Sequence, residues 1–319
     1  RSVDAVGRAI YMVNARTGEK VWSGEMTAGD KHFSDMKYSI PSKMTVLDMN
    51  GDGYADKMFV GDVGGQLWRF DIHNGSAVGK LVTGGVIFNA SGTDADANEV
   101  HNRRFYHEPD ISLHRKNNEN YLAIKIGSGF QAHPLNIVVK DRFYMIKDKD
   151  VKVAPSSYVA LDESDLFDAT DNTLGEGSVG SIKTAEEALD AAGGWYLKLS
   201  RPGEKVLASS LTVRNQTYFT TYEPDLLGCS GDVSDESKKV SRVFQIASES
   251  AKPVVNHDGA GGDVLTASDR EFLLDSTSIA PAPVRLRVDG GEAILVGTEI
   301  VPPGDDDSAL YTKIYWYEQ

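Results

Sequence analysis

The sequence predicts an all-β protein built as a β-propeller with short helical insertions. Short runs rich in Val, Ile, Tyr, Phe and Trp recur along the chain, separated by Gly, Asn, Asp and Pro, which is how strands and turns alternate. The runs return in one order: two strands around a tight turn, a loop of variable length, then an aromatic-rich third strand. Radially repeated antiparallel sheets of this kind are blades, and repetition accommodates 319 residues where one ordinary core would not.

Taken in order, residues 9–13 and 20–22 flank Ala15-Arg16-Thr17-Gly18 and read as the outer hairpin of a blade that begins upstream. The first complete unit has strands at 44–48, 57–62 (KMFVGD) and 66–72 (QLWRFDI). The second has 111–114, a turn at 116–120, then 121–126 and 142–147 (RFYMIK). The third has 211–213, a turn at 214–216, then 217–222 (TYFTTY) and 242–247 (RVFQIA). The fourth has 284–288, a turn at 289–291, then 292–297 and 313–318 (KIYWYE). Pro41, Pro109 and Pro283 lead into three of the first strands, where a missing N–H costs little. A fourth strand is expected in each unit, for example at 195–199. Residues 184–192 (TAEEALDAA) read as a short helix, with Thr184 and Glu187 as its capping box and Gly193 as its stop. Polar stretches at 91–98, 162–172 and 230–239 read as solvated loops.

One propeller domain is therefore expected over 1–319. Within it, 1–40 ends an upstream blade, 41–90 is a blade carrying a distinctive loop, and 107–160 is a second. Residues 161–200 are an insertion with helix and outer strand, 205–250 a third blade and 280–319 the last. Four blades and a fraction do not close a generous ring, so more blades are expected upstream.

A net charge of −14 argues against nucleic acid, which needs clustered Lys and Arg, and suits cations. Cys229 is the one cysteine, which removes thiolate metal clusters and any disulfide within the chain. No run of about 18 apolar residues occurs, so no membrane-spanning helix is expected. The N-terminus carries no signal-peptide pattern.

Residues 48–56, Asp-Met-Asn-Gly-Asp-Gly-Tyr-Ala-Asp, match the first nine positions of the D-x-[DN]-x-[DN]-G calcium loop. Ca²⁺ takes six to eight oxygens at about 2.3–2.6 Å. Asp48, Asn50 and Asp52 supply side-chain oxygens at alternate positions, and Gly53 permits the sharp turn because it lacks a Cβ. Tyr54 is placed to offer its backbone carbonyl, and Asp56 a carboxylate directly or through water. Position twelve is Phe59 rather than a bidentate Glu, and the flanks are strands. The loop is thus grafted onto a β-hairpin, with an expected affinity around 10⁻⁴ M or somewhat tighter. Without a cation the carboxylates of Asp48, Asp52 and Asp56 repel one another, so the ion is expected to order the hairpin.

Residues 48–72 (DMNGDGYADKMFVGDVGGQLWRFDI) resemble the signature of the PilY/PilC family of type IV pilus tip proteins. Residues 126–136 (IGSGFQAHPLN), 141–144 (DRFY) and the ending with Tyr315-Trp316 are similar to further family stretches. The resemblance implies a quinoprotein-like propeller at the C-terminal end of a large secreted adhesin, at the pilus tip with minor pilins. It implies support of pilus biogenesis, twitching motility and adhesion. It further implies that the loop at Asp48, Asn50, Asp52, Tyr54 and Asp56 tunes the balance of extension and retraction. No Arg-Gly-Asp occurs, so the integrin binding of some members is not implied.

No enzyme is expected. Residues 175–180 formally match G-x-G-x-x-G, but a polar loop precedes them where a dinucleotide site needs a strand. No H-E-x-x-H, G-x-S-x-G or Walker A sequence is present, and the seven histidines show no metal-ligand spacing. Two rivals stay open. Residues 9–22 resemble the repeat of quinoprotein dehydrogenases, which hold calcium beside a quinone. A generic carbohydrate- or protein-binding adhesion propeller is the other, with Trp22, Trp68, Trp195 and Trp316 as stacking candidates against a packing role.

Overall fold

The computed structural model describes residues 2–92, 98–224, 240–260, 264–288 and 291–301. The chain is mostly β, in five sheets, with one α-helix among the described residues. The first sheet holds β1 (Ala9–Val13), β2 (Lys20–Glu25) and the two-residue β3 (Lys31–His32). The second is a four-stranded antiparallel meander of β4 (Thr45–Leu47), β5 (Lys57–Gly61), β6 (Gln66–Ile72) and β7 (Val82–Asn89).

The third sheet runs β8 (Asp110–Lys116), β9 (Glu119–Gly127), β10 (Arg142–Asp148) and β12 (Gly194–Lys198), with β11 (Phe167–Asp168) parallel at its edge. The fourth is β13 (Leu211–Val213), β14 (Gln216–Tyr222), β15 (Ser241–Ala247) and β16 (Glu271–Leu273). The fifth is β17 (Val284–Val288), β18 (Gly291–Val296) and β19 (Glu299–Val301). The expected strands of the second to fourth sheets are present in the expected order. In the fifth, β19 takes the third place through a turn at Gly297 (φ 61°). The strand expected at 313–318, Trp316, Cys229 and the loop at 230–239 lie outside the described residues.

Turn chemistry fixes two of the hairpins. Asn117 and Asn118 (φ 49° and 68°) join β8 to β9, and Arg214 and Asn215 (φ 48° and 61°) join β13 to β14. Both central residues have positive φ, which matches the right-handed twist of paired strands and which Asn tolerates best after Gly.

The core lies between successive sheets. On β9, Leu122, Ile124 and Ile126 pack with Phe59, Leu67 and Phe88 of the second sheet. Tyr121 and Ala123, with their side chains on the opposite face, pack with Phe219 and Ile246 of the fourth. Neighbouring residues on β10 divide the same way, Tyr144 and Ile146 toward one cluster and Phe143 and Met145 toward the other. Strand alternation therefore sends every second side chain into each inter-sheet layer, and a strand buried on both faces reads as a nearly continuous apolar run. Phe143 stacks on Phe219 with ring centroids 3.8 Å apart, and Phe219 on Phe244 at 4.6 Å. Trp22, Trp68 and Trp195 are buried in these layers. Packing is their role, not sugar stacking.

The helix differs from expectation. It spans Val179–Ala191, and Ser178 caps it by accepting from the Ser181 N–H. Thr184 is not a cap; inside the helix, its hydroxyl donates to the Gly180 carbonyl. The local capping bond at Ser178 outcompetes the box read at Thr184. As a result the G-x-G-x-x-G stretch does meet a helix N-terminus. The strand before it is only the two-residue β11, and Gly175 packs against the Asn172 amide. The loop at 162–172 is also less solvated than its composition suggests. Glu163 accepts from the Tyr144 hydroxyl (2.6 Å) and pairs with Arg142 (2.6 Å). Arg270 donates to the carbonyls of Ala169 and Thr170.

Candidate metal centre

β4 and β5 are paired with Leu47 opposite Lys57, and the Asp56 N–H closes the intervening loop on the Leu47 carbonyl at 2.8 Å. All five predicted residues sit in that loop. Asp48 is 6% exposed. One of its carboxylate oxygens accepts from the N–H groups of Asn50 (3.1 Å) and Gly51 (2.7 Å), the other from Gly53 (2.9 Å). Asn50 accepts from the Asp52 N–H and Asp52 from the Tyr54 N–H, both at 2.8 Å. Asp56 reaches back to accept from the Met49 N–H at 2.7 Å. The loop is a run of side chains bonding the backbone two or more residues on, the local chemistry that Asp and Asn favour in turns.

Gly51 (φ 79°) and Gly53 (φ 90°) have open space where a Cβ would stand. Backbone conformation, not crowding, is what requires glycine there. Desolvation acts to raise the Asp48 carboxyl, but the loop N–H donors outweigh it and hold the group below its usual range. Tyr54 projects outward, 65% exposed, which leaves only its carbonyl for a role in the loop.

The donors here are all oxygens, which suits a hard cation such as Ca²⁺. One carboxylate oxygen of Asp52 and one of Asp56 accept no hydrogen bond from the described residues. The side chains are not gathered around one point: among the described residues no group of three His, Cys, Asp or Glu side chains is disposed to hold a metal. The donor set matches a hard cation in kind, and side-chain rotation would be needed to bring the oxygens together.

Directly below the loop lies an ion network that the sequence reading missed. Lys57, the first residue of β5, donates to Asp71 at 2.6 Å. Arg69 binds Asp71 through two nitrogens (2.7 and 2.9 Å) and Asp148 of the third sheet at 2.7 Å. The Tyr158 hydroxyl donates to Asp71 at 2.7 Å. Two cations and two carboxylates are buried together, so each charge has a partner. Desolvation raises Asp71, yet its bonds from Arg69, Lys57 and Tyr158 win and lower it. The signal available in the sequence was charge inside apolar strands: Lys57 and Asp71 are register partners across β5 and β6. Between loop and third sheet runs a groove of about 500 Å³, lined by Asn50, Asp56, Asp71, Leu113 and Val151 among others.

No family model matches the chain, and no curated protein does. Among solved structures, the crystal structure of the Pseudomonas aeruginosa PilY1 C-terminal domain matches with a TM-score of 0.59 at 16% identity, over 92% of this chain. The chain spans 65% of the length of that domain. The fold is thus that of a PilY1-like C-terminal domain. A quinohemoprotein alcohol dehydrogenase from Pseudomonas putida HK5 aligns over 92% of this chain and 36% of its own at 13% identity, with a TM-score of 0.36. So loose a likeness carries no argument for a quinone site. No helix among the described residues is long and apolar enough to cross a membrane.

Proposed function

We propose that this PilY1-like chain is the calcium-binding part of a propeller in an extracellular, type IV pilus-associated protein. The observation that carries the calcium reading is the contiguous loop at Asp48, Asn50, Asp52, Tyr54 and Asp56, bracketed by two strands of one sheet. Ca²⁺ bound there neutralises three carboxylates and draws their oxygens off the backbone N–H groups. That clamps the β4–β5 hairpin and fixes one wall of the groove beside it. The loop acts by shape and takes no part in catalysis.

In the pilus reading, the fold likeness and the sequence resemblance of residues 48–72 together support a place at the pilus tip. There the clamped surface faces minor pilins, and calcium sets the balance of extension and retraction, twitching and adhesion. Calorimetric titration with Ca²⁺ tests the site, with one binding event per chain expected at about 10⁻⁴ M or tighter. Absence of heat with Ca²⁺ would overturn the calcium reading, and heat that requires pyrroloquinoline quinone as well would favour the dehydrogenase reading. Pull-down of purified minor pilins, with and without chelator, tests the tip assignment.

A further inference from the structure

Ser112 and His114 stand two residues apart on β8, so their side chains share one face of the strand. The Ser112 hydroxyl lies 2.7 Å from Nε2 of His114, and Nδ1 of the same ring lies 3.0 Å from a carboxylate oxygen of Glu249. Glu249 follows β15, so the fourth sheet supplies the acid and the third the serine and histidine. Lys125, on β9 and fully buried, donates to the Ser112 hydroxyl oxygen.

Proton positions in this chain follow from donor chemistry. An ammonium only donates, so Ser112 accepts from Lys125 and keeps its own hydrogen for His114. An ionised Glu249 only accepts, so the imidazole proton sits on Nδ1 and leaves Nε2 as a base. Burial lowers His114 from its ordinary value, with Glu249 acting the other way and Lys125 reinforcing the fall, so the ring is neutral near pH 7. Ser112 and His114 line a cavity of about 70 Å³ between β8, β13 and β17, walled by Thr212, Asn215 and Arg285. At about 30 Å³ per water this holds roughly two waters, or the acyl half of an acetyl ester. The Asn215 amide oxygen is buried with no hydrogen-bond partner.

We propose that Ser112, His114 and Glu249 form a nucleophile, base and orienting carboxylate that hydrolyse small acyl esters of the acetyl class. The Ser112 oxygen attacks the ester carbonyl while its proton passes to Nε2 of His114. The tetrahedral oxyanion forms beside the Lys125 ammonium, which offsets its charge. Collapse breaks the ester C–O bond, and His114 returns the proton to the departing alcohol. Water then gives a proton to Nε2 and attacks the acyl carbon; the carboxylic acid leaves and Ser112 regains its hydrogen. Glu249 touches no reacting atom and is a positioning residue. The site is separate from the calcium loop and stands or falls without it.

The test uses the whole chain with a fluorophosphonate and with p-nitrophenyl acetate. The expected result is a phosphonyl adduct that maps to the peptide bearing Ser112, and a burst of nitrophenolate. Ser112→Ala loses both. Glu249→Gln lowers kcat about a hundredfold or more with KM little changed, and Glu249→Asp restores part of it. Folded wild-type protein that takes no adduct at Ser112 overturns the proposal, as does hydrolysis that persists in Ser112→Ala. Labelling of the wild type needs no variant to fold, so the outcome is read even where a substitution destabilises the sheet.

Discussion

One guanidinium nitrogen of Arg69 lies 2.7 Å from both carboxylate oxygens of Asp148, across the boundary between the second and third sheets. The same guanidinium holds Asp71 on its own strand. The two sheets are therefore joined by a buried charge as well as by the apolar layer of Phe59, Leu122 and Ile124. Removing Arg69 takes the guanidinium from Asp148, while Asp71 keeps Lys57 and Tyr158.

Arg69→Met is expected to cost about 3–5 kcal/mol, because buried Asp148 loses the guanidinium that holds both of its oxygens. Arg69→Met with Asp148→Leu is expected to recover about 2 kcal/mol of that loss. Urea unfolding of the two single variants and the double gives the coupling directly. A double variant no more stable than Arg69→Met would show that the pair does not couple the sheets.

Asp141 supplies a pH dependence. It is fully buried, with one oxygen accepting from the Ser128 hydroxyl at 2.7 Å. Burial raises its carboxyl to about 6, against the Ser128 bond and the charges of Lys205 and Arg103. Below pH 3.8 both folded and unfolded chains hold the proton; between 3.8 and about 6 only the folded chain does. Stability from this group therefore falls as pH rises through that window, by about 3 kcal/mol in total. Asp141→Asn should remove this component, so the difference in stability between variant and wild type should grow by about 2 kcal/mol from pH 4 to pH 6.5. Parallel pH profiles would contradict the assignment.

Gly194 opens β12 with φ 153°, and a Cβ there would stand 1.9 Å from the Met145 carbonyl oxygen on β10. Backbone is rigid where a side chain could swing away, so relief requires β12 to shift from its neighbour. Gly194→Ala is expected to lose about 3 kcal/mol. Gly18→Ala tests the contrast: its φ is 75° with nothing within 4 Å, so only conformational cost remains, about 1 kcal/mol. Thermal melting of both variants, with Gly194→Ala the lower, checks the ordering.

Local signals were legible and distant pairings were not. The strands of the second to fourth sheets could be read because both faces are buried, which makes runs such as 66–72 rich in apolar and aromatic residues around their few buried charges. β7 was harder, since Gly84 and Gly85 interrupt it. The Phe70 ring fills the space beside the first and Tyr158 that beside the second, so their reason lies across the sheet. The candidate metal loop could be read as a unit because its oxygen-bearing residues are contiguous. Arg69 with Asp148, and the Ser112–His114 pair with Glu249, are brought together only by sheet packing, and no spacing in the chain announces them. The helix was found but misplaced, because two capping patterns competed within six residues.

Calcium is tested most directly by thermal melting with and without the ion, in the wild type and in Asp48→Ala. Asp48 accepts from three loop N–H groups and stands at the first position of the proposed calcium loop. Millimolar Ca²⁺ at about ten times the dissociation constant should stabilise the wild type by about 1.4 kcal/mol, and raise its melting temperature reversibly on chelation. Asp48→Ala should melt lower and ignore Ca²⁺. A calcium shift in the variant equal to that of the wild type, or none in either, would contradict the account.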